Sequence, residues 1–287
     1  MTWRERAHRA AYALRLRFPK QWLQMRRHRP GHLPSFLICG AAKAGTTSLF
    51  HYMVEASSQI RPPVRKEVNY FSDLHALGID FYRRFFPVLH DGEITGEASP
   101  TYMLYHQAAR RIRSALGAEV KLIVLLRDPV DRALSEYQHV NFTDKVRICD
   151  HRPLEEAFFD EPAWFRLPAD DPTPFHIRYR YHMYISKGIY HALLQRYLDV
   201  FSRDQLLVLE YHDLVNDPRS VTRTALDFVG VAGDRLDALD VRPRNTNPAK
   251  RRLPGEADIR ARLRDFYRPH DEALARLLGR RFSWMDQ

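Results

Sequence analysis

The stretch Phe36-Leu-Ile-Cys-Gly40-Ala-Ala-Lys43-Ala-Gly45-Thr46-Thr47-Ser48-Leu49 constrains the fold more than any other part of the 287-residue chain. Phe36 to Cys39 is a short apolar run of the kind that forms a buried strand. Gly40 to Gly45 is a loop of small residues, and Thr46 to Ser58 places Leu49, Tyr52 and Met53 at helical spacing. A strand that runs through a glycine loop into a helix N-terminus aims free backbone N–H groups and the helix dipole at one point, a cradle for phosphate. Lys43 adds a point charge inside the loop, and Thr46, Thr47 and Ser48 add hydroxyl donors. The order is not that of a Walker A loop, which needs Lys directly after its second Gly and then a Ser or Thr for magnesium. Here Thr46 follows Gly45, so the expected ligand has no β- and γ-phosphates to clamp.

A second anion motif follows the strongest strand signal. Val120 to Leu126 is nearly continuous apolar sequence, which suits a parallel strand buried on both faces. It ends in Arg127-Asp128-Pro129-Val130-Asp131-Arg132-Ala133-Leu134-Ser135, with Pro129 suited to the first turn of a helix. An Arg at a strand's C-terminal end and a Ser two turns into the next helix face one crevice, where ligands bind in open α/β sheets. An Arg fork with a hydroxyl suits a phosphate dianion. The competing reading is a Walker B-like strand, with Asp128 on magnesium and a kinase reaction.

Between these motifs, Pro62-Pro63 stiffens a connection that delivers Arg65-Lys66-Glu67-Val68-Asn69-Tyr70-Phe71-Ser72. Lys66 and Glu67 beside an aromatic run form either a half-buried general base site or a plain ion pair at a strand edge. Next come Gly78 to Phe86, aromatic and helical, and Gly92 to Tyr102, a short strand entering a Ser99-Pro100 turn and then a helix through Arg113. Tyr102 and Tyr105 line a cleft or pack in the core. Tyr190 to Val200 reads as an amphipathic helix, Gln205 to Glu210 as another buried strand, and Ala257 to Tyr267 as a late helix. Residues 144–187, with five prolines, read as short helices and a variable segment over an acceptor site, which includes His176, Arg178 and Tyr179.

The loop resembles the 5'-phosphosulfate loop of sulfotransferases that use 3'-phosphoadenosine 5'-phosphosulfate (PAPS), and the later motifs are similar to the heparan-type branch of that family. The resemblance covers residues 36–284. It implies that Lys43 contacts the transferred sulfonate, and that Ala44, Gly45, Thr46, Thr47 and Ser48 hold the 5'-phosphate. It makes Arg127 and Ser135 contacts of the 3'-phosphate, and assigns the basic loop Lys250-Arg251-Arg252 to the same nucleotide. Heparan-type enzymes carry Lys-Glu-x-His-Phe-Phe after the loop, so Glu67 becomes the general base and Lys66 lies near the transferred group. Asn69 stands where many members have His, as a contact to the acceptor, with Tyr102 beside it. Ala98 occupies the position of a second Lys in the heparan enzymes, which leaves the acceptor side less cationic.

The fold class expected is α/β, a P-loop-like three-layer fold with a central parallel sheet of four to five strands flanked by helices. Residues 33–287 form the sulfotransferase domain and residues 1–32 a basic amphipathic arm. Nine Arg or Lys against Glu5 put +8 of the net +10 in that arm, leaving +2 on the remainder. The charge therefore belongs to the arm rather than to a nucleic-acid face, and nucleic acid is not an expected partner. The arm either lies on an anionic membrane surface or packs as a solvated helix. Neither a bilayer-spanning run nor a signal-peptide core is present, and two cysteines give no disulfide framework, so a cytoplasmic enzyme is expected, peripheral at a membrane if the arm binds one. The expected reaction moves the sulfonate of PAPS to a hydroxyl or amine of a carbohydrate or small metabolite, releasing adenosine 3',5'-bisphosphate without a metal. The alternatives are a P-loop-like small-molecule kinase and a non-catalytic protein that binds anions or membranes.

Overall fold

The computed structural model describes residues 30–142, 149–160, 181–242, 244, 251 and 253–286. Five strands among these residues form one parallel sheet, ordered β2-β3-β1-β4-β5. They are β1 Phe36–Gly40, β2 Ile60–Arg61, β3 Ile94–Ala98, β4 Lys121–Leu126 and β5 Leu206–Glu210. The helices in chain order are α1 Thr46–Ala56, α2 Ile79–Arg83, α3 Thr101–Leu104, α4 Ala108–Leu116, α5 Pro129–Phe142, α6 Leu154–Phe159, α7 Tyr190–Leu198, α8 Tyr211–Asn216, α9 Pro218–Val229 and α10 Glu256–Leu278. The expected α/β fold with a parallel sheet flanked by helices is what the chain adopts.

The apolar runs became the central strands because both faces of a parallel sheet are covered. Every residue of β1, and Leu122 to Leu126 of β4, is buried. Gly96 lets β3 pair closely with β1, since a Cβ there would lie 2.3 Å from the ring of Phe36. β2 departs from the expected proline-stiffened connection: Ile60 and Arg61 pair with Ile94 and Thr95 as an edge strand. It stops at two residues because Pro62 and Pro63 have no N–H to give a ladder.

A second apolar cluster joins α5, α6 and α10 beside the sheet, around Leu134, Tyr137, Phe158, Tyr184, Leu263 and Tyr267. Inside it Arg132 pairs with Glu136, Lys187 pairs with the same carboxylate, and Arg132 also donates to the carbonyl of Tyr184. The two cations hold the Glu136 carboxyl below its ordinary range despite burial. Removing one partner of such a buried set typically costs about 3–5 kcal/mol. The set ties α5 to the turn at Ser186–Gly188 that opens α7.

α10 runs past Pro269, beyond the expected end at Tyr267. A proline removes one backbone donor, but Ile259, Leu263, Tyr267 and Leu274 keep one face buried on both sides of it. The expected helix from Ser99-Pro100 through Arg113 breaks instead at Tyr105, giving α3 and α4. The arm, most of the 144–187 segment with His176, Arg178 and Tyr179, and Lys250 and Arg252 lie outside the described residues.

Candidate active site

β1 occupies the middle of the sheet, with β3 on one side and β4 on the other. The chain leaves β1 toward β2 and leaves β4 toward β5, so the two connections diverge above their C-terminal ends. That divergence opens the crevice where ligands bind in open α/β sheets. Ser99 N–H donates to Ile38 O at 3.1 Å and Ala41 N–H to Leu125 O at 2.7 Å, which laces the three strand ends together. The loop with Lys43, the turn with Glu67 and the segment with Arg127 are thereby held on neighbouring strands, about 5 Å apart per strand.

The glycine loop enters α1 through left-handed backbone at Lys43 (φ 68°) and Gly45 (φ 84°). Gly45 is required twice, by its φ and because a Cβ would sit 2.9 Å from the ring of Tyr211. The first turn of α1 has neither an acidic residue nor a side-chain cap. Its leading amides have no intrahelical partner, so the N-terminus faces the crevice ready for an anion. Ala44 and Thr46 are buried, and Thr47 and Lys43 are half-buried. Ser48 is buried; its Oγ accepts from Arg244 N–H at 3.1 Å and donates to Arg244 O at 3.3 Å, which ties the first turn of α1 to the Arg244 main chain.

Arg127 lies just past β4 and donates to Lys43 O at 3.1 Å. Its guanidinium stacks over Tyr211 at 4.7 Å and lies 3.9 Å from Asp131. Tyr190 O–H donates to Arg127 O at 2.8 Å, fixing the main chain below it. Ser135 is half-buried on α5. Gln138, three residues on, holds Arg251 by two bonds: its Nε2 donates to Arg251 O at 3.1 Å, and its Oε1 accepts from Arg251 N–H at 3.3 Å. Arg251 also lays its guanidinium over Phe142 at 4.9 Å. Ser135, Gln138 and Phe142 fall on one helix face, so Arg251 is held on the face that carries Ser135. Asp128 caps α5, its Oδ1 accepting from Val130 N–H at 2.8 Å, and that use of the carboxylate argues against a magnesium ligand of the Walker B kind. Burial and the nearby Asp131 push its carboxyl up.

Glu67 and Asn69 are also left-handed, at φ 59° and 56°. Non-glycine residues adopt this backbone only where the surroundings over-determine it, and such positions cluster at active sites. The surroundings here are residues 97–102. Glu67 N–H donates to Ala98 O at 3.2 Å, Val68 N–H to Glu97 Oε2 at 3.2 Å, Asn69 N–H to Ser99 Oγ at 3.0 Å and Tyr70 N–H to Tyr102 Oη at 2.8 Å. The turn then enters a π-helical turn, Tyr70–Leu74, rather than a strand. Glu67 is half-buried, its side chain 42% exposed, and it pairs with Lys66 at 3.2 Å, in keeping with the half-buried Lys–Glu pair expected.

The two acceptor contacts expected on this side do not face a cleft. Tyr102 is fully buried, with its hydroxyl donating to Glu97 Oε1 at 2.7 Å. Asn69 is 3% exposed; its Nδ2 donates to Glu67 O at 3.0 Å and its Oδ1 accepts from Thr101 Oγ1 at 2.7 Å. Both shape the Glu67 turn from beneath. Tyr211 and Gln138 carried no distinct sequence signal, whereas Glu97 was readable as a structural carboxylate bonding backbone near the sheet, as its bond from Val68 N–H bears out. Of the first two, Tyr211 alone had a hint, an aromatic residue directly after a buried strand's C-terminal end.

The family model described as "Sulfotransferase domain" matches residues 33–242. The chain is 26% identical to a membrane-associated sulfotransferase, kil1, of Dictyostelium discoideum, over 88% of this chain and 67% of that protein. It is 29% identical to human heparan sulfate glucosamine 3-O-sulfotransferase 3B1, over 88% of this chain and 65% of that enzyme. The chain thus spans about two thirds of the length of these curated relatives. Among solved structures, a sulfotransferase from Alicyclobacillus acidocaldarius superposes with a TM-score of 0.69 at 28% identity, covering 89% of this chain and all of that one. With this family match over most of its length, the chain belongs to the sulfotransferase family and is similar to its heparan sulfate enzymes.

Proposed function

We propose that the chain transfers the sulfonate of PAPS to a hydroxyl or amine of a glycan or small metabolite. The observation that carries this reading is the bond from Arg127 to the carbonyl of Lys43, which brings the two anion motifs together in one crevice. The residues fit the nucleotide: uncapped amides of α1 with Thr46 and Thr47 for the 5'-phosphate, and Arg127, Ser135 and Arg251 for the 3'-phosphate. PAPS supplies an activated sulfonate on a phosphate leaving group. Glu67 takes the proton of the attacking hydroxyl or amine, and its partly exposed carboxylate is open to an acceptor. Lys43 neutralises charge developing on the bridging oxygen, and Lys66 steadies the sulfonate oxygens.

A carbohydrate acceptor is supported by the heparan sulfate relatives, while Ala98 favours a less anionic glycan than theirs. The basic residues 1–32 and the two free cysteines support a cytoplasmic enzyme whose arm touches anionic membrane. Replacing Glu67 by Gln tests the reading. Adenosine 3',5'-bisphosphate affinity should be unchanged, and sulfonate transfer from labelled PAPS to a glucosamine-containing oligosaccharide should fall at least a hundredfold. Transfer retained at the parent rate would remove Glu67 as base.

A further inference from the structure

The Glu67 turn has an organiser in the core. Glu97 is fully buried at the end of β3, and four groups donate to its carboxylate. Oε1 accepts from Tyr82 O–H at 2.6 Å and Tyr102 O–H at 2.7 Å. Oε2 accepts from Ser99 O–H at 2.6 Å and Val68 N–H at 3.2 Å. A backbone amide can only donate, so Ser99 Oγ accepts from Asn69 N–H, and Tyr102 Oη accepts from Tyr70 N–H. Each hydroxyl keeps its own proton for Glu97, and these bonds oppose the burial that pushes the Glu97 carboxyl up.

One carboxylate therefore sets three successive amides of the turn: Val68 directly, Asn69 through Ser99, and Tyr70 through Tyr102. Tyr82 is different: its ring stacks on Tyr70 at 4.4 Å, but its hydroxyl bonds the carboxylate without accepting from a turn amide among the described residues, so Tyr82→Phe keeps the stacking and removes only the bond to Glu97. We propose that Glu97 is a positioning residue for sulfonate transfer, fixing the left-handed Glu67 turn through the Ser99 and Tyr102 hydroxyls. The proposal rests on Glu67 acting at the site. It deepens that reading by naming what aims the carboxylate at the acceptor.

The test compares three hydroxyl deletions around one carboxylate, Tyr82→Phe, Ser99→Ala and Tyr102→Phe, in the full chain. Tyr82→Phe removes a bond from Glu97 alone, whereas Ser99→Ala and Tyr102→Phe also remove the acceptor of a turn amide. Glu97→Gln, which keeps both hydroxyls, is therefore compared with them and separates a relay through Glu97 from the direct hydroxyl–amide bonds. Hydrogen exchange of amides 67–70 should quicken at least tenfold in Ser99→Ala, Tyr102→Phe and Glu97→Gln and stay near the parent in Tyr82→Phe. Turnover of PAPS with the glucosamine-containing oligosaccharide should follow, with kcat down about tenfold in Ser99→Ala and Tyr102→Phe. Adenosine 3',5'-bisphosphate affinity, read by calorimetry, should hold in all three. Parent-like exchange at 67–70 in Glu97→Gln overturns the relay. Faster exchange at 67–70 with unchanged turnover overturns its role in transfer. Failure of Glu67 as base reads separately, as activity retained in Glu67→Gln with the exchange split intact.

Discussion

The guanidinium of Arg127 donates to the main-chain carbonyl of Lys43 at 3.1 Å. That single bond joins the end of β4 to the loop after β1. Tyr211 braces it from below, touching the space above Gly45 on one side and stacking on Arg127 on the other. A charge held this way is aimed before any ligand arrives, which is where an electrostatic site gains most.

Gly45→Ala should damage both stability and binding. The left-handed backbone alone costs about 1–2 kcal/mol for an L-residue, and the added Cβ meets Tyr211. Thermal unfolding should shift down by several degrees, and affinity for both AMP and adenosine 3',5'-bisphosphate should weaken. The double variant Gly45→Ala/Tyr211→Ala should recover part of the loss, because only the steric part is relieved.

Gln138→Leu should act on one end of the nucleotide only. The two bonds to the Arg251 backbone are lost, while the apolar body of the side chain is kept. Each hydrogen bond is worth about 1 kcal/mol net, so affinity for the bisphosphate should drop roughly tenfold. AMP, which has no 3'-phosphate, should bind as to the parent. A matching loss for AMP would move Arg251 away from the 3'-phosphate.

Much of this site could be read from the chain, and the misses have identifiable causes. Lys43 and Arg127 sit just past strand ends, where residue order alone fixes position, and Ser135 follows two turns into α5. The left-handed turn at Glu67 has no local signature; it is imposed by partners some 30 residues later. Tyr102 and Asn69 are buried beneath the Glu67 turn instead of facing a cleft, a burial set by the β3 end beneath them. The bond between Ser48 and the Arg244 main chain spans 196 residues and has no local signature either. Among the strands, β1, β4 and β5 were legible as apolar runs, whereas two-residue β2 is too short to carry a pattern.

Asp271 predicts a pH dependence of stability. Burial first, then the neighbouring charge of Asp128, lift its carboxyl from 3.8 to about 7, although Trp284 Nε1–H donates to it at 3.3 Å. The folded protein thus holds this proton more tightly than the unfolded chain. The stabilisation is complete below about pH 4 and is lost as the pH rises through 7. In Asp271→Asn this contribution should vanish, so the variant's stability relative to the parent should rise between pH 4 and pH 8, as read by urea unfolding. A constant difference across that range would show that Asp271 titrates normally.

The most direct measurement is calorimetric binding of adenosine 3',5'-bisphosphate beside AMP, to the parent and to Arg127→Ala. A charge-assisted phosphate contact is worth about 1.5–3 kcal/mol, so the parent should prefer the bisphosphate by at least tenfold. Arg127→Ala should erase that preference while leaving AMP affinity nearly unchanged. Equal binding of the two nucleotides by the parent would contradict a shared site spanning the Lys43 loop and Arg127.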